Sequence, residues 1–167
     1  MKLNRKWLNE EFVDLRDISD KEFVETMTVA GQKVETYERL DAEIENVVVG
    51  RVESVVRHPD SDHMWICQVD VGAGEPIQIV TGAQNVHQGD LVPAALDGAK
   101  LPGGVQIRSG VLRGERSDGM LCSLRELDLT RNDFPYAIED GIFILEEDCK
   151  PGDNINAVIG NDDTVVD

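Results

Sequence analysis

The chain has 167 residues, 41% of them hydrophobic, enough for one ordinary domain or for a small domain with appendages. Its 16 basic and 33 acidic residues give a net charge of −17, a field that repels phosphate backbones at long range and argues against indiscriminate nucleic-acid binding. No stretch approaches the ~20 apolar residues that span a bilayer, and Met1-Lys2-Leu3-Asn4-Arg5-Lys6 is not followed by an apolar signal run, so a cytoplasmic address and no membrane segment are expected.

Trp7, Leu8, Phe12 and Leu15 fall at helical spacings and predict a short docking helix with an acidic outer face. Ser19-Asp20-Lys21-Glu22 matches a capping box, Phe23, Val24, Met27 and Ala30 continue as an apolar stripe, and Gly31 suits the helix end. Residues 1–40 therefore read as a small helical segment. From Ile44 the pattern turns β-branched: Val47–Arg57 predicts a long strand ending at the turn His58-Pro59-Asp60, with Gly50 placed for a sharp bend. Further strands are predicted at Trp65–Val71, Pro76–Thr81, Leu91–Ala95 and Gln106–Leu112, separated by glycine-rich turns, which suggests a five-stranded closed barrel. A short helix is expected over Leu124–Leu127, a further strand over Ile142–Leu145, and a last helix opened by Pro151-Gly152-Asp153 and ended near Gly160. The fold class is thus mainly β with peripheral helices. Residues 41–150 are read as the barrel with its extension, and 151–167 as a terminal helix and linker, or a truncation, leading to absent domains.

Signatures of catalysis are missing: there is no phosphate loop, no dinucleotide fingerprint and no nucleophile elbow, so no catalytic residue is expected. His58, Asp60, Asp62, His63 and Cys67 lie within ten residues, but they straddle a turn entering a strand, unlike the close ligand pairs of a zinc site. They read as a polar turn capped by Asp60, with no metal. Cys67, Cys122 and Cys149 are an odd number at unequal spacings and read as reduced, buried side chains.

The positive signal is local. Lys100, Arg108, Arg113, Arg116 and Arg125 face only Glu115 and Asp118 within the same stretch, whereas residues 129–167 hold 2 basic against 10 acidic groups. Arginine presents a planar fork of donors suited to phosphate oxygens, while the competing reading is a solvated face whose arginines pair with nearby acids. Trp65 is the one aromatic nearby, so phosphate and shape contacts to structured RNA fit better than base stacking.

Several motifs together resemble a known family. His58-Pro59-Asp60-Ser61-Asp62, Cys67–Gly72, Ile79–Val86, Lys100-Leu101-Pro102-Gly103-Gly104 and Leu112–Ser123 occur in this order in tRNA-binding barrels of the oligonucleotide-binding (OB) type. The flanking Met1–Leu40 and the Cys122-Ser123 and Glu126-Leu127 pairs are similar to the opening of bacterial phenylalanyl-tRNA synthetase beta subunits, whereas a free-standing barrel protein, the alternative, would lack that first segment. The resemblance implies an N-terminal fragment of a far longer subunit, working in an alpha-beta heterotetramer that uses ATP and magnesium to attach phenylalanine to its tRNA. Catalysis would belong to the alpha subunit and editing to later beta domains, leaving this fragment no catalytic site and no cofactor of its own. Implied partners are tRNA, bound weakly, the remainder of the beta subunit and the alpha subunit.

The expected RNA-binding residues are Lys100, Arg108, Arg113, Arg116 and Arg125, with Ser117 and Met120 in the adjoining Ser117-Asp118-Gly119-Met120 loop. The alternative is an assembly module with little RNA contact. Two departures from the family pattern stand out. His63-Met64-Trp65 replaces a usual basic residue followed by leucine, and Asp128 stands where a glycine is common.

Overall fold

The computed structural model describes residues 3–4, 19–21, 37–39, 43–160 and 164–166. It divides into two units, residues 1–42 with 160–167, and residues 43–159. In the first unit β1 (Leu3–Asn4) and β2 (Tyr37–Arg39) both pair antiparallel with the strand Thr164–Val166, which lies between them. Asp20 and Lys21 are helical and follow Ser19, where the capping box predicts a helix start. The Trp7–Leu15 helix and the Phe23–Ala30 stripe lie outside the described residues.

The second unit is the barrel. Its spine is β3 (Glu45–Arg57), whose first half pairs with β6 (Leu91–Leu101) and whose second half pairs with β4 (Trp65–Asp70), itself paired with β5 (Ile77–Thr81). The change of partner falls at Gly50–Arg51, where a Cβ on Gly50 would lie 2.5 Å from Val69 Cγ1 and 3.3 Å from the Ala94 Cβ. The absent side chain lets the two halves of the barrel close on one bent strand. On the other side of β6, β7 (Val105–Gln106) forms a short hairpin with its end. Beyond it β8 (Gly110–Leu112) pairs with β9 (Glu115–Ser117), and β10 (Gly119–Leu121) returns to β6.

The strand expected over Gln106–Leu112 is therefore not the fifth barrel strand. Gly110, Val111 and Leu112 are all exposed, so no side chain of that segment is buried in the core, and β8 and β9 form a separate two-stranded arm. The fifth barrel strand is β10, whose Leu121 is buried. The Arg116–Asp118 segment leading into it is set against β5 by three hydrogen bonds rather than a regular ladder. The Asp118 amide donates to the Gln78 carbonyl (2.8 Å), the Val80 amide to the Ser117 hydroxyl (3.0 Å) and Gln78 Nε2 to the Arg116 carbonyl (2.8 Å).

Both faces of the β3–β6 pair are covered, which accounts for the unbroken runs Val47-Val48-Val49 and Val92-Pro93-Ala94-Ala95 where a half-exposed sheet would alternate. Val52, Cys67, Val69, Ile79, Val92, Ala94 and Leu121 fill one core cluster. Val47, Val49, Ala95, Ala99 and Leu101 pack into a second, with Leu124, Leu127, Phe143, Leu145 and Ile155 from the extension. The strand predicted at Ile142–Leu145 is buried but unpaired as a ladder. Its backbone is held by separate bonds, Phe143 N–H to the Cys122 carbonyl (3.0 Å), Leu145 N–H to the Leu91 carbonyl (2.8 Å), and Ile142 N–H and carbonyl to the Asn85 side-chain amide (3.0 and 2.9 Å).

The expected short helix is one 3-10 turn, Arg125–Leu127. Asp128 follows it in the left-handed conformation (φ 55°), the backbone state that explains why glycine suits this position. The last helix, α1 (Ile155–Ile159), stays on the barrel through fully buried Ile155 and the bond from Gly152 N–H to the Val49 carbonyl (2.8 Å).

Phe143 is fully buried, with the rings of Phe134 at 4.9 Å and Tyr136 at 6.1 Å. Phe143→Ala is expected to lower unfolding free energy by about 3–5 kcal/mol in a urea titration. A loss under about 1 kcal/mol would mean that the extension is not part of the cooperative unit.

Candidate nucleic-acid interface

The arm follows from local chain chemistry. Arg113 (φ 51°) and Gly114 (φ 87°) are both left-handed and form the two-residue turn between β8 and β9, the geometry whose twist matches a right-handed hairpin. Asparagine and glycine are the usual occupants of the first position, so an arginine there is held in a strained backbone at the tip of an exposed hairpin. Val111 and Leu112 beside it are 68% and 43% exposed.

The sequence-derived cations fall into three places. Lys100 lies on β6 opposite Gln106, whose Oε1 accepts a hydrogen bond from Arg108 Nη2 at 3.1 Å. Arg113 and Arg116 lie on the arm. Arg125 lines a cleft of about 440 Å³ whose walls also include Met64, Gly82, Leu112, Met120 and Gly141.

These cations are not equally available. Lys100 faces Glu45 at 3.7 Å, and Arg116 Nε donates to Asp118 Oδ1 at 2.6 Å, a hydrogen bond and ion pair that raise the guanidinium's affinity for its proton. Among the described residues Arg108, Arg113 and Arg125 have no carboxylate within 4.0 Å. The cleft itself is acidic on balance, since Glu126, Glu139 and Asp140 line it with Arg125.

Ser117 and Met120 occupy structural positions. Ser117 is 5% exposed, and its hydroxyl accepts from Val80 N–H while donating to the Gly119 carbonyl at 2.9 Å, so both directions of bonding are used inside the barrel. Met120 is partly buried, touching the second core cluster on one side and the cleft on the other. Glycine at 119 is required by close approach, because a Cβ there would lie 2.4 Å from the Ala95 carbonyl oxygen.

Two features escaped sequence reasoning. Arg57, directly opposite Trp65 across the β3–β4 ladder, places its guanidinium 5.7 Å from the indole centroid and stands exposed. The alternation at the end of β3 with an aromatic just after the turn is the signal that could have found it. His58 is the other: it is 2% exposed, and its ring, not the Asp60 carboxylate, caps the turn by accepting the Asp60 amide on Nδ1 at 3.0 Å. The expected cap by Asp60 is not formed; in that turn the Ser61 hydroxyl accepts the His63 amide at 3.2 Å.

Among the described residues no group of three or more histidine, cysteine, aspartate or glutamate side chains is placed to hold a metal ion. Cys67 and Cys122 are buried free thiols, and burial pushes their pKa values up to about 11 and about 12, while partly buried Cys149 is also raised. Among the described residues no helix is long and apolar enough to cross a membrane.

A five-stranded barrel on one bent strand, carrying a basic arm beside an open cleft, defines a protein of the OB class. The chain belongs to the tRNA-binding domain family: the family model described as "Putative tRNA binding domain" matches residues 47–154. It is also 45% identical over its full 167 residues to the phenylalanine–tRNA ligase beta subunit of Clostridium acetobutylicum, and 44% identical over 163 residues to that of Staphylococcus saprophyticus. Those matches take in 100% and 97% of this chain, which spans about 20% of the length of either relative.

Ser117→Ala leaves the Val80 amide without an acceptor inside the barrel and is expected to cost about 1–3 kcal/mol of stability, read from a denaturant titration. An unchanged midpoint would mean that the hydroxyl does not close the barrel.

Proposed function

We propose that this chain is an auxiliary tRNA-binding domain of a phenylalanine–tRNA ligase beta subunit, helping a cytoplasmic enzyme hold the tRNA to which phenylalanine is joined. The observation that carries this reading is the arm: an exposed hairpin ending in a strained Arg113 that no carboxylate neutralises, within a tRNA-binding family barrel. Arg113 and Arg108 contact phosphate in this reading, Arg116 does so on leaving Asp118, and Lys100 and Arg125 border the footprint. Ser117 and Met120 support it from beneath, as the wall on which the arm stands. ATP and magnesium serve the longer enzyme, at sites outside this chain, and the alpha subunit and the remaining beta domains are its protein partners.

With only a few cations at the proposed contact surface of a chain of net charge −17, binding is weak and strongly dependent on salt. A titration with a phenylalanine tRNA transcript tests this. Arg113→Ala with Arg116→Ala is expected to weaken binding several-fold and to reduce the logarithmic salt slope by roughly one per lost phosphate contact. Asp118→Asn, which releases Arg116 from its ion pair, is expected to strengthen binding. Unaltered affinity in all of these variants would remove the arm from the site.

The exposure of Val111 and Leu112 favours a second reading, in which the arm docks on another part of the synthetase. Replacing both with serine would then disturb assembly while leaving the salt slope of tRNA binding unchanged.

A further inference from the structure

We propose that His58 is a positioning residue, which fixes the pose of the β8–β9 arm and through it sets RNA affinity; the affinity half of the proposal rests on the arm's assignment as the RNA contact.

The geometry begins with the ring. The Asp60 amide can only donate, so Nδ1 at 3.0 Å is its acceptor, and the ring hydrogen sits on Nε2. Nε2 then donates to the carbonyl oxygen of Leu112, 3.1 Å away and 54 residues along the chain. The backbone of His58 is held as firmly, its N–H bonded to the Met64 carbonyl at 3.0 Å. One imidazole thus uses each nitrogen once and joins the β3–β4 turn to the arm.

The place of that bond gives it leverage. The arm's other anchors all lie nearer its base: Ser109 N–H to Asp97 Oδ1 at 2.7 Å, Gln78 Nε2 to the Arg116 carbonyl at 2.8 Å, and Val80 N–H to the Ser117 hydroxyl at 3.0 Å. Leu112 directly precedes the Arg113-Gly114 turn, so His58 is the anchor closest to the tip on the β8 side. Val111 and Leu112 make no compensating core contact, being exposed. Without the imidazole, β8 is left with its pairing to β9 and one bond at its base, and the Arg113 side chain samples more orientations before it meets a phosphate. Ordering the arm would then be charged against binding.

Two substitutions separate the ring's jobs. His58→Asn keeps an acceptor for the amide two residues on, as asparagine does in turns, but cannot reach Leu112. His58→Gln places an amide nitrogen near the position of Nε2 and can restore the donor to Leu112. Amide hydrogen exchange of Gly110–Ser117, compared with β4 amides in the same sample, and the affinity for a phenylalanine tRNA transcript are measured on the 167-residue chain. For His58→Asn the arm amides are expected to exchange about tenfold faster relative to β4, and tRNA binding to weaken about threefold to tenfold, the worth of one hydrogen bond. His58→Gln recovers both to within about twofold. In the Arg113→Ala, Arg116→Ala background His58→Asn should cost no further affinity, because the groups it positions are gone.

Arm exchange that does not rise selectively in His58→Asn, or that rises without loss of affinity, overturns the proposal. So does an equal loss with the two arm arginines present or absent. Failure of the unmodified chain to bind tRNA is a different result: it overturns the functional reading and the affinity half of this inference, while exchange still judges the tether.

Discussion

The closure of the barrel between β5 and the Ser117–Leu121 segment is the constraint on which the remaining features depend. No continuous ladder joins these strands, so the seam is held by the Ser117 hydroxyl on the Val80 amide, by the Asp118 amide on the Gln78 carbonyl and by Gln78 Nε2 on the Arg116 carbonyl. The arm ends at Ser117, and the seam fixes where it leaves the barrel. Met120 and Leu121, next along, line the cleft that Arg125 borders. One short segment therefore sets the barrel, the direction of the arm and a wall of the cleft. A hydroxyl serves at the seam because a buried amide without an acceptor costs more than a typical hydrogen bond contributes.

Electrostatics decide how such a protein can meet a polyanion. At physiological ionic strength the screening length is about 8 Å, so an arm that holds its guanidinium away from the acidic body presents a local positive charge despite the total. The 129–167 segment carries much of the excess negative charge, and its carboxylates Glu139 and Asp140 reach the cleft. The cleft is consequently a poor phosphate site, and the arm tip a better one. Asp118 on Arg116 and Glu45 on Lys100 lower the reach of two further cations without removing them, since exposed pairs of this kind contribute little and exchange readily.

Much of the barrel was legible in the sequence because the signals were local. Gly50 within a β-branched run marked the bend, and the glycine-rich turns marked the strand ends. The fifth strand was misplaced because Val111 and Leu112 look like core residues in one dimension, and only their exposure in the fold shows that they belong to an arm. Ile142–Leu145 misled in a related way: an apolar run reports burial, and burial was satisfied by packing under the barrel without a ladder. The arginines were found from local charge, but not their pairing, since Lys100–Glu45 spans 55 positions. His58 was visible only as part of a polar turn. Its partner, Leu112, offers a backbone carbonyl, which no side-chain pattern can reveal.

The central claim is that RNA meets this chain at the arm. It is tested most directly by following the backbone amide resonances of the chain while a phenylalanine tRNA transcript is added at low salt. The account predicts that the largest shifts and line broadening fall on Gly110–Ser117 and the neighbouring Arg108, and that they fade as salt is raised. Perturbations confined to the cleft and the 129–159 extension, or none at any tRNA concentration, would contradict it.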